Sequence, residues 1–269
     1  MKRALALMTF CAVAVGCAVS TQQEVQLGQQ YSTQLNTSLP IVTDPAIDGY
    51  INQLGNSMAK LTGRKDLDWH FFVVNTDVVN AFALPGGYIY VNRGVIERAD
   101  KMDELAGVIG HEIGHVVRRH SVKQMQQKQG ANIGVALTCV LTHVCDSQAS
   151  QAAIQVGGAA AFASFSRQDE KEADEEGFKN TIRAGISPRG LVTFFGKLMA
   201  ADKGGGSPVD AWFSDHPLTQ DRIADVQRLI DAKDPALLRT LTEDTRAFQT
   251  FKERVHALPP GPKPKAATP

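Results

Sequence analysis

The 269-residue sequence carries no excess charge of either sign: 28 Lys and Arg stand against 28 Asp and Glu. No basic block with interleaved aromatics occurs either, so nothing points to nucleic acid or another polyanion as a partner. Long apolar runs are also missing. Residues 4–16, 131–145 and 152–165 are the most apolar stretches, and each is shorter than the roughly 20 residues that a membrane-spanning helix needs. Cysteine is scarce, with four in the chain. The remaining composition, 43% hydrophobic and 21% charged, is that of an ordinary globular protein. It suffices for one large domain, or for one domain with an appendage.

The first apolar stretch follows a basic Met1-Lys2-Arg3 and closes on Ala14-Val15-Gly16-Cys17. This is the layout of an export signal. A small residue before a cysteine at that point resembles a bacterial lipobox, which implies cleavage before Cys17 and lipidation of its thiol. A plain secretory signal cut nearby is the other reading. Either way the expected location is outside the cytoplasm, and with the lipid it is the periplasm with attachment to the outer membrane. Removing Cys11 with the signal and assigning Cys17 to lipid leaves Cys139 and Cys145. In an oxidising compartment this pair can close a short disulfide loop. Two free buried thiols, or a second zinc site shared with His143, are the alternatives.

The chain is organised around Gly110-His111-Glu112-Ile113-Gly114-His115. Two histidines four positions apart on a helix are separated by about 40° in azimuth and about 6 Å along the axis. Both imidazoles then leave one face and can reach one metal ion. Glu112 leans over the same open side, placed to hydrogen-bond a metal-bound water without binding the metal. This is the H-E-x-x-H arrangement of zinc hydrolases. A helical context is present: no proline occurs from Asp100 to about Gln129, and Met102, Leu105, Ala106, Val108, Ile109, Ile113, Val116 and Val117 recur at helical spacing. Asp100 reads as the N-cap, with Asp103 and Glu104 in the first turn, where the helix dipole favours acids.

Upstream, Thr21–Asn36 is polar and glutamine-rich and reads as an amphipathic arm or linker helix. Asp44-Pro45 starts a second helix that Gly63 is expected to stop. Residues 68–74, 81–84 and 88–91 read as strands, with Pro85-Gly86-Gly87 turning the chain between the last two. Three strands followed by helices predict an α+β fold, mostly helical, with a small antiparallel sheet. The strand at Asn80-Ala81-Phe82-Ala83 runs into a proline, which favours an edge position. Such an edge either binds an extended peptide by strand addition or is an ordinary hairpin arm. Residues 131–165 predict a helical hairpin of small residues, either packed on the domain or in contact with a membrane. Pro188 opens another helix, residues 212–216 read as a loop, and a further helix runs from Pro217 to about Asp231. The proline-rich stretch from Pro259 to Pro269 reads as disordered.

A catalytic zinc takes three protein ligands and keeps a fourth position for water. Two downstream sources can supply the third ligand: acids on the helix over residues 167–182, and His216. Glu170 and Asp174 are four apart and share a face. One acid can bind metal while the other orients a ligating imidazole. On composition alone, the acidic run from Asp169 to Glu176 reads as a solvated face.

Ser166-Arg167-Gln168-Asp169-Glu170-Lys171-Glu172-Ala173-Asp174, taken with His111-Glu112-Ile113-Gly114-His115, resembles the M48 family of zinc metallopeptidases. Asn80-Ala81-Phe82-Ala83-Leu84-Pro85-Gly86-Gly87 and Asp215-His216-Pro217-Leu218 with Arg222 resemble two further segments of that family. The similarity covers roughly Asp44 to Ile230. The resemblance implies a zincin-like (gluzincin) fold with the sheet over the active-site helix, and one Zn2+ held by His111, His115 and Glu170. It implies Asp174 and Arg222 as supports of those ligands, Glu112 as the catalytic base, and His216 as an oxyanion donor or a cap on the zinc at rest. A structural histidine bonded to a backbone carbonyl is the plainer reading of His216. The resemblance is to secreted bacterial members, periplasmic or outer-membrane-attached proteases of envelope quality control. The implied layout is a signal over residues 1–17, an arm over 18–43, the peptidase domain over 44–232 and a C-terminal helix with a tail over 233–269. Polypeptides are the expected substrates. A non-proteolytic chaperone or assembly factor, or a lipid-anchored scaffold, with zinc serving structure alone, is the alternative.

Overall fold

The computed structural model describes residues 19–128, 164–202, 209–217 and 219–261. Cys17, Cys139 and Cys145 therefore lie outside the described residues, as do nearly all of the expected helical hairpin and the tail beyond Gly261. In chain order the elements are α1 (Thr21–Ser38), α2 (Pro45–Ala59), β1 (His70–Val74), β2 (Ala81–Leu84), β3 (Tyr88–Asn92), α3 (Arg93–Arg98), α4 (Met102–Val117), α5 (His120–Lys128), α6 (Arg167–Arg183), α7 (Arg189–Ala201), α8 (Asp210–Asp215), α9 (Gln220–Asp231), α10 (Pro235–Leu238) and α11 (Arg246–His256).

Helix α4 is the axle. Every residue from Met102 to Val116 is buried, because the sheet, α6 and α7 all pack around it. Its apolar positions Leu105, Val108, Ile109 and Ile113 are fully enclosed, each contributing on the order of 1.5–3 kcal/mol by burial. Truncating Ile113 to alanine would remove about 2–5 kcal/mol. On the α6 side, glycines let the two backbones meet. A Cβ at Gly114 would lie 2.6 Å from the Ala173 carbonyl oxygen, and one at Gly177 would lie 3.0 Å from the His111 nitrogen. This close approach brings Glu170 and Asp174, one turn apart on α6, up to the imidazoles of α4.

The helix differs from its expected form at both ends. Its N-cap is Lys101, which gives no side-chain cap. Asp100 instead turns its carboxylate to Lys197 at 2.6 Å. The first-turn N–H groups find tertiary partners: Met102 donates to Asp244 Oδ1 at 3.1 Å and Asp103 to the Glu243 carbonyl at 2.8 Å. At the C-terminal end α4 stops at Val117. Arg119 adopts φ 58° and starts α5 in a new direction. A left-handed conformation costs a non-glycine residue about 1–2 kcal/mol. The buried Glu24 of α1 offsets it, accepting from Arg119 Nε at 2.9 Å and from Arg64 Nη2 at 3.1 Å.

The sheet is mixed, with order β1-β3-β2, and not antiparallel throughout. β2 and β3 form the antiparallel hairpin, Ala81 opposite Val91, while β1 runs parallel to β3, His70 opposite Tyr88. The cause is burial: Ile89, Tyr90 and Val91 are fully enclosed, so β3 takes the centre and β2 is moved to the far edge. The β1 edge is closed. The Asn52 side-chain amide of α2 imitates a strand, donating to the Phe71 carbonyl at 3.0 Å and accepting its N–H at 3.1 Å. Val42 donates to the Val73 carbonyl and Asn75 to that of Pro40, both at 2.9 Å. Among the described residues, no other segment bonds the outer edge of β2. Residues 212–215, expected within a loop over 212–216, belong to the short α8, and the next helix begins at Gln220 rather than Pro217, capped by Thr219. The chain beyond α9 returns to the body: Phe248, Phe251 and Val255 of α11 are buried in the core.

Candidate metal centre

α4 presents His111, Glu112 and His115 at one end of its buried face. α6 adds Glu170 and Asp174, and the turn after α8 adds His216. Serine 166 starts α6 with a reciprocal cap: its hydroxyl accepts from the Asp169 N–H, and Asp169 reaches back to its N–H. That cap fixes the first turn, where Glu170 sits.

One ligand atom from each of His111, His115, Glu170 and His216 lies within 4.8 Å of every other, and all four residues are buried. His111 Nε2 is 3.0 Å from His115 Nε2 and 3.3 Å from His216 Nδ1. Glu170 Oε1 is 3.1 Å from His216 Nδ1 and 3.4 Å from His115 Nε2. Nitrogen and oxygen donors at zinc-ligand distances around a tetrahedral centre stand about 3.3 Å apart. The donor set therefore fits a single tetrahedral divalent cation in chemistry and in spacing.

The supports are unequal. His111 donates from Nδ1 to Asp174 Oδ1 at 2.8 Å. Arg222 of α9 forks onto Asp174 at 2.7 and 2.8 Å and reaches Glu170 Oε2 at 2.5 Å. Burial works to raise the Asp174 carboxyl, but Arg222 and His111 hold it below the usual range. Burial likewise opposes ionisation of Glu170, and the three imidazoles outweigh it, holding the carboxyl well below normal. Burial lowers His111, and it lowers His115 further, so both are kept neutral as ligands require. His216 differs: burial disfavours its charge, yet the carboxylates of Glu170 and Glu112 raise it to about 9.

Glu112 stands alone. It is fully enclosed, and neither carboxylate oxygen has a hydrogen-bond partner among the described residues. Its nearest charged neighbour is His216, with Nε2 at 3.5 Å from Oε1. Burial pushes its carboxyl up to about 8. It faces a narrow cleft walled by Phe82, Leu84, Phe165, His216 and Tyr31 of α1.

Residues 45–230 match Peptidase family M48. The chain belongs to peptidase family M48. It is thus a metallopeptidase by family, and the resemblance read from the sequence holds. It is 32% identical over 232 residues, 84% of this chain, to the beta-barrel assembly-enhancing protease of Escherichia coli K12, of which those residues make up 47%. The metalloprotease LoiP of the same organism is 28% identical over 218 residues, 80% of this chain and 83% of LoiP. The mitochondrial metalloendopeptidase OMA1 of Schizosaccharomyces pombe is 29% identical over 178 residues, 66% of this chain and 51% of OMA1. The chain thus spans about half the length of the first of these relatives. The family implies a metal, and the four-residue cluster is where this M48 chain can hold it.

The structure brings His111, His115, Glu170, Asp174, Arg222, Glu112 and His216 into one buried group. Phe82 and Ala83 line the cleft beside it. Asn80 turns away and donates to Asp215 Oδ2 at 2.8 Å, tying the start of β2 to the turn that carries His216. The sequence reading missed two contacts. The Phe165 ring stacks on His115 with centroids 4.0 Å apart. His120 Nδ1 lies 3.0 Å from His115 Nδ1. No spacing signal announces the first. The second was hidden because His120 sits on the wrong side of a straight helix.

Proposed function

We propose that this protein is a zinc-dependent endopeptidase of zincin-like (gluzincin) architecture. In this reading His111, His115 and Glu170 hold the metal, Asp174 and Arg222 hold His111 and Glu170, and Glu112 is the general base. Zinc held there supplies Lewis-acid polarisation of the scissile carbonyl and a lowered pKa for water. Glu112 removes a proton from the attacking water and delivers it to the leaving amine. The observation that carries the reading is the pair of unpartnered Glu112 oxygens beside four convergent ligand atoms. A zinc site serving structure, or a chaperone without proteolysis, has no use for a buried carboxyl kept free of partners.

The substrate is an extended polypeptide, added as a strand along Ala81–Leu84 with Asn80 at its end. The closed β1 edge and the unbonded outer edge of β2 support this. His216 is the resting cap: its Nδ1 sits among the ligand atoms, where a fourth donor belongs. The capping role predicts that His216→Phe speeds cleavage, whereas an oxyanion donor predicts a loss.

The relatives are named for the enhancement of beta-barrel assembly and as a mitochondrial metalloendopeptidase. With the export signal, they support unfolded or misassembled envelope proteins as the substrate class. We place the protein in the periplasm, anchored to the outer membrane through a lipid on Cys17. No described helix is long and apolar enough to cross a membrane. Residues 1–17 then comprise the signal and the lipid-bearing Cys17, 18–43 an arm, 44–232 the catalytic unit and 233–269 its C-terminal extension, with Cys139 and Cys145 available for a disulfide. Mass spectrometry of the mature N-terminus tests the anchor.

Glu112→Gln tests the activity. Zinc content stays near one per chain while casein cleavage drops by about 10²–10⁴. Equal cleavage by variant and wild type would remove Glu112 as the base.

A further inference from the structure

The two helical imidazoles of the metal centre are supported in different ways. His111 has a carboxylate behind it, as described above. His115 has another imidazole. His120 is 1% exposed, and its Nδ1 lies 3.0 Å from His115 Nδ1. Its far nitrogen, Nε2, faces two acids of the first turns of α6: Glu172 Oε2 at 3.4 Å and Asp169 Oδ1 at 3.5 Å.

The tautomers follow from the geometry. Nε2 of His115 faces His111 and Glu170, so it is the nitrogen offered to a metal. A neutral imidazole that ligates through Nε2 carries its proton on Nδ1. That N–H needs an acceptor in a buried site, and His120 Nδ1 is there. His120 must then carry its own proton on Nε2, and the Glu172 and Asp169 carboxylates lie where that N–H points. A chain of donors runs from the ligand to the acids, with each nitrogen in one role.

The backbone is bent to make this contact. Five residues along a straight helix rotate a side chain by about 140°, so His120 on a continued α4 would face away from His115. The left-handed turn at Arg119, φ 58°, swings His120 back beneath it. Arg119 is held in that turn by Glu24 and by the Val19 carbonyl at 2.6 Å.

We propose that His120 is a positioning residue for the metal centre: its unprotonated Nδ1 accepts the His115 N–H and aims the ligand at the cation. This rests on the metal-centre reading above. Partners that orient a ligating imidazole are worth roughly 10- to 100-fold in metal affinity.

The experiment compares full-length wild type, His120→Asn and His120→Leu. The asparagine amide oxygen sits at the δ position and can accept the same N–H, whereas leucine fills the space without an acceptor. Zinc affinity is read by competition with a chromogenic chelator, and ligand geometry by the visible spectrum of the cobalt-substituted protein. We expect His120→Leu to bind zinc about 10- to 100-fold more weakly with an altered cobalt spectrum, and His120→Asn to stay near wild type in both. Leucine equal to wild type, or asparagine weakened as much as leucine, would overturn the proposal. If His120→Leu does not fold, nitrogen-15 NMR of the zinc-loaded wild type decides. A proton on His120 Nε2 supports the proposal, and one on Nδ1 overturns it. Wild type that binds no zinc would instead defeat the metal-centre reading itself.

Discussion

Two places in this molecule enclose acidic side chains among arginines, and they end differently. At the clamp between α1 and α4, Glu24 is fully buried with both oxygens occupied: Oε1 accepts from Arg64 at 3.3 Å, and Oε2 from Arg64 at 3.1 Å and Arg119 at 2.9 Å. In the metal centre Asp174 is treated alike, with Arg222 and His111 on its oxygens. Glu112, in the same enclosed group, has no hydrogen-bond partner among the described residues, only the charged His216 with Nε2 at 3.5 Å. A buried acid whose oxygens are all taken holds structure together. A buried acid left without partners carries a desolvation penalty that folding gains nothing from. On the proposed reading, the contrast gives Glu24 and Asp174 to architecture and Glu112 to chemistry.

The sharpest way to break that contrast is Arg222→Met. It strands the Asp174 and Glu170 carboxylates in an enclosed site, and removal of one partner from a buried ion pair costs about 3–5 kcal/mol. Chemical denaturation of the metal-free protein should show a loss of that size. A loss below about 1 kcal/mol would mean that the site is wetter than its burial suggests. Glu24→Gln comes next. Arg64 and Arg119 keep 13% and 33% side-chain exposure, so water takes over part of the lost pairing. The expected cost is about 2 kcal/mol, with cleavage per folded molecule little changed. Glu112→Gln should reverse the pattern, removing activity while raising stability at pH 7, because the burial that pushes the Glu112 carboxyl up to about 8 costs the native state there. Should Glu24→Gln abolish cleavage without loss of stability, the division between the two clusters would fail.

Much of this was readable beforehand because the signals are local. The i, i+4 spacing of His111 with His115 and of Glu170 with Asp174 puts each pair on one helical face whatever surrounds it, and the structure joins those faces. The helix expected over residues 167–182 forms as Arg167–Arg183. What the sequence hid depends on distant partners. The left-handed turn at Arg119 is held by Glu24, 95 positions away. The first turn of α4 is capped from Glu243 and Asp244 rather than Asp100. The strand order follows from β3 being enclosed on both faces, and no period-two pattern distinguishes that from a plain meander. His120 was lost for the same reason, since its contact with His115 exists only once the helix is broken.

Asp103 sharpens the comparison at its faintest. Like Glu112 it is buried with an oxygen, Oδ1, that finds no hydrogen-bond partner among the described residues, but no cluster of ligand atoms adjoins it. By the reasoning above it should be a plain cost. Burial pushes its carboxyl up from 3.8 to about 6, with Glu243 and Glu104 adding repulsion against the hydrogen bond from Ser187. The native state therefore binds more protons than the unfolded chain between about pH 4 and 6, so stability falls as pH rises through that window and the deficit persists above it. Asp103→Asn removes the charge and keeps the shape. It should match wild type near pH 4 and exceed it by about 1 kcal/mol at pH 8, after allowance for solvent screening. Urea denaturation at the two pH values checks this. If wild type is instead the more stable at pH 8, the attraction of the α4 N-terminus for a carboxylate outweighs burial. A buried acid oxygen without a hydrogen-bond partner would then be no guide to a site.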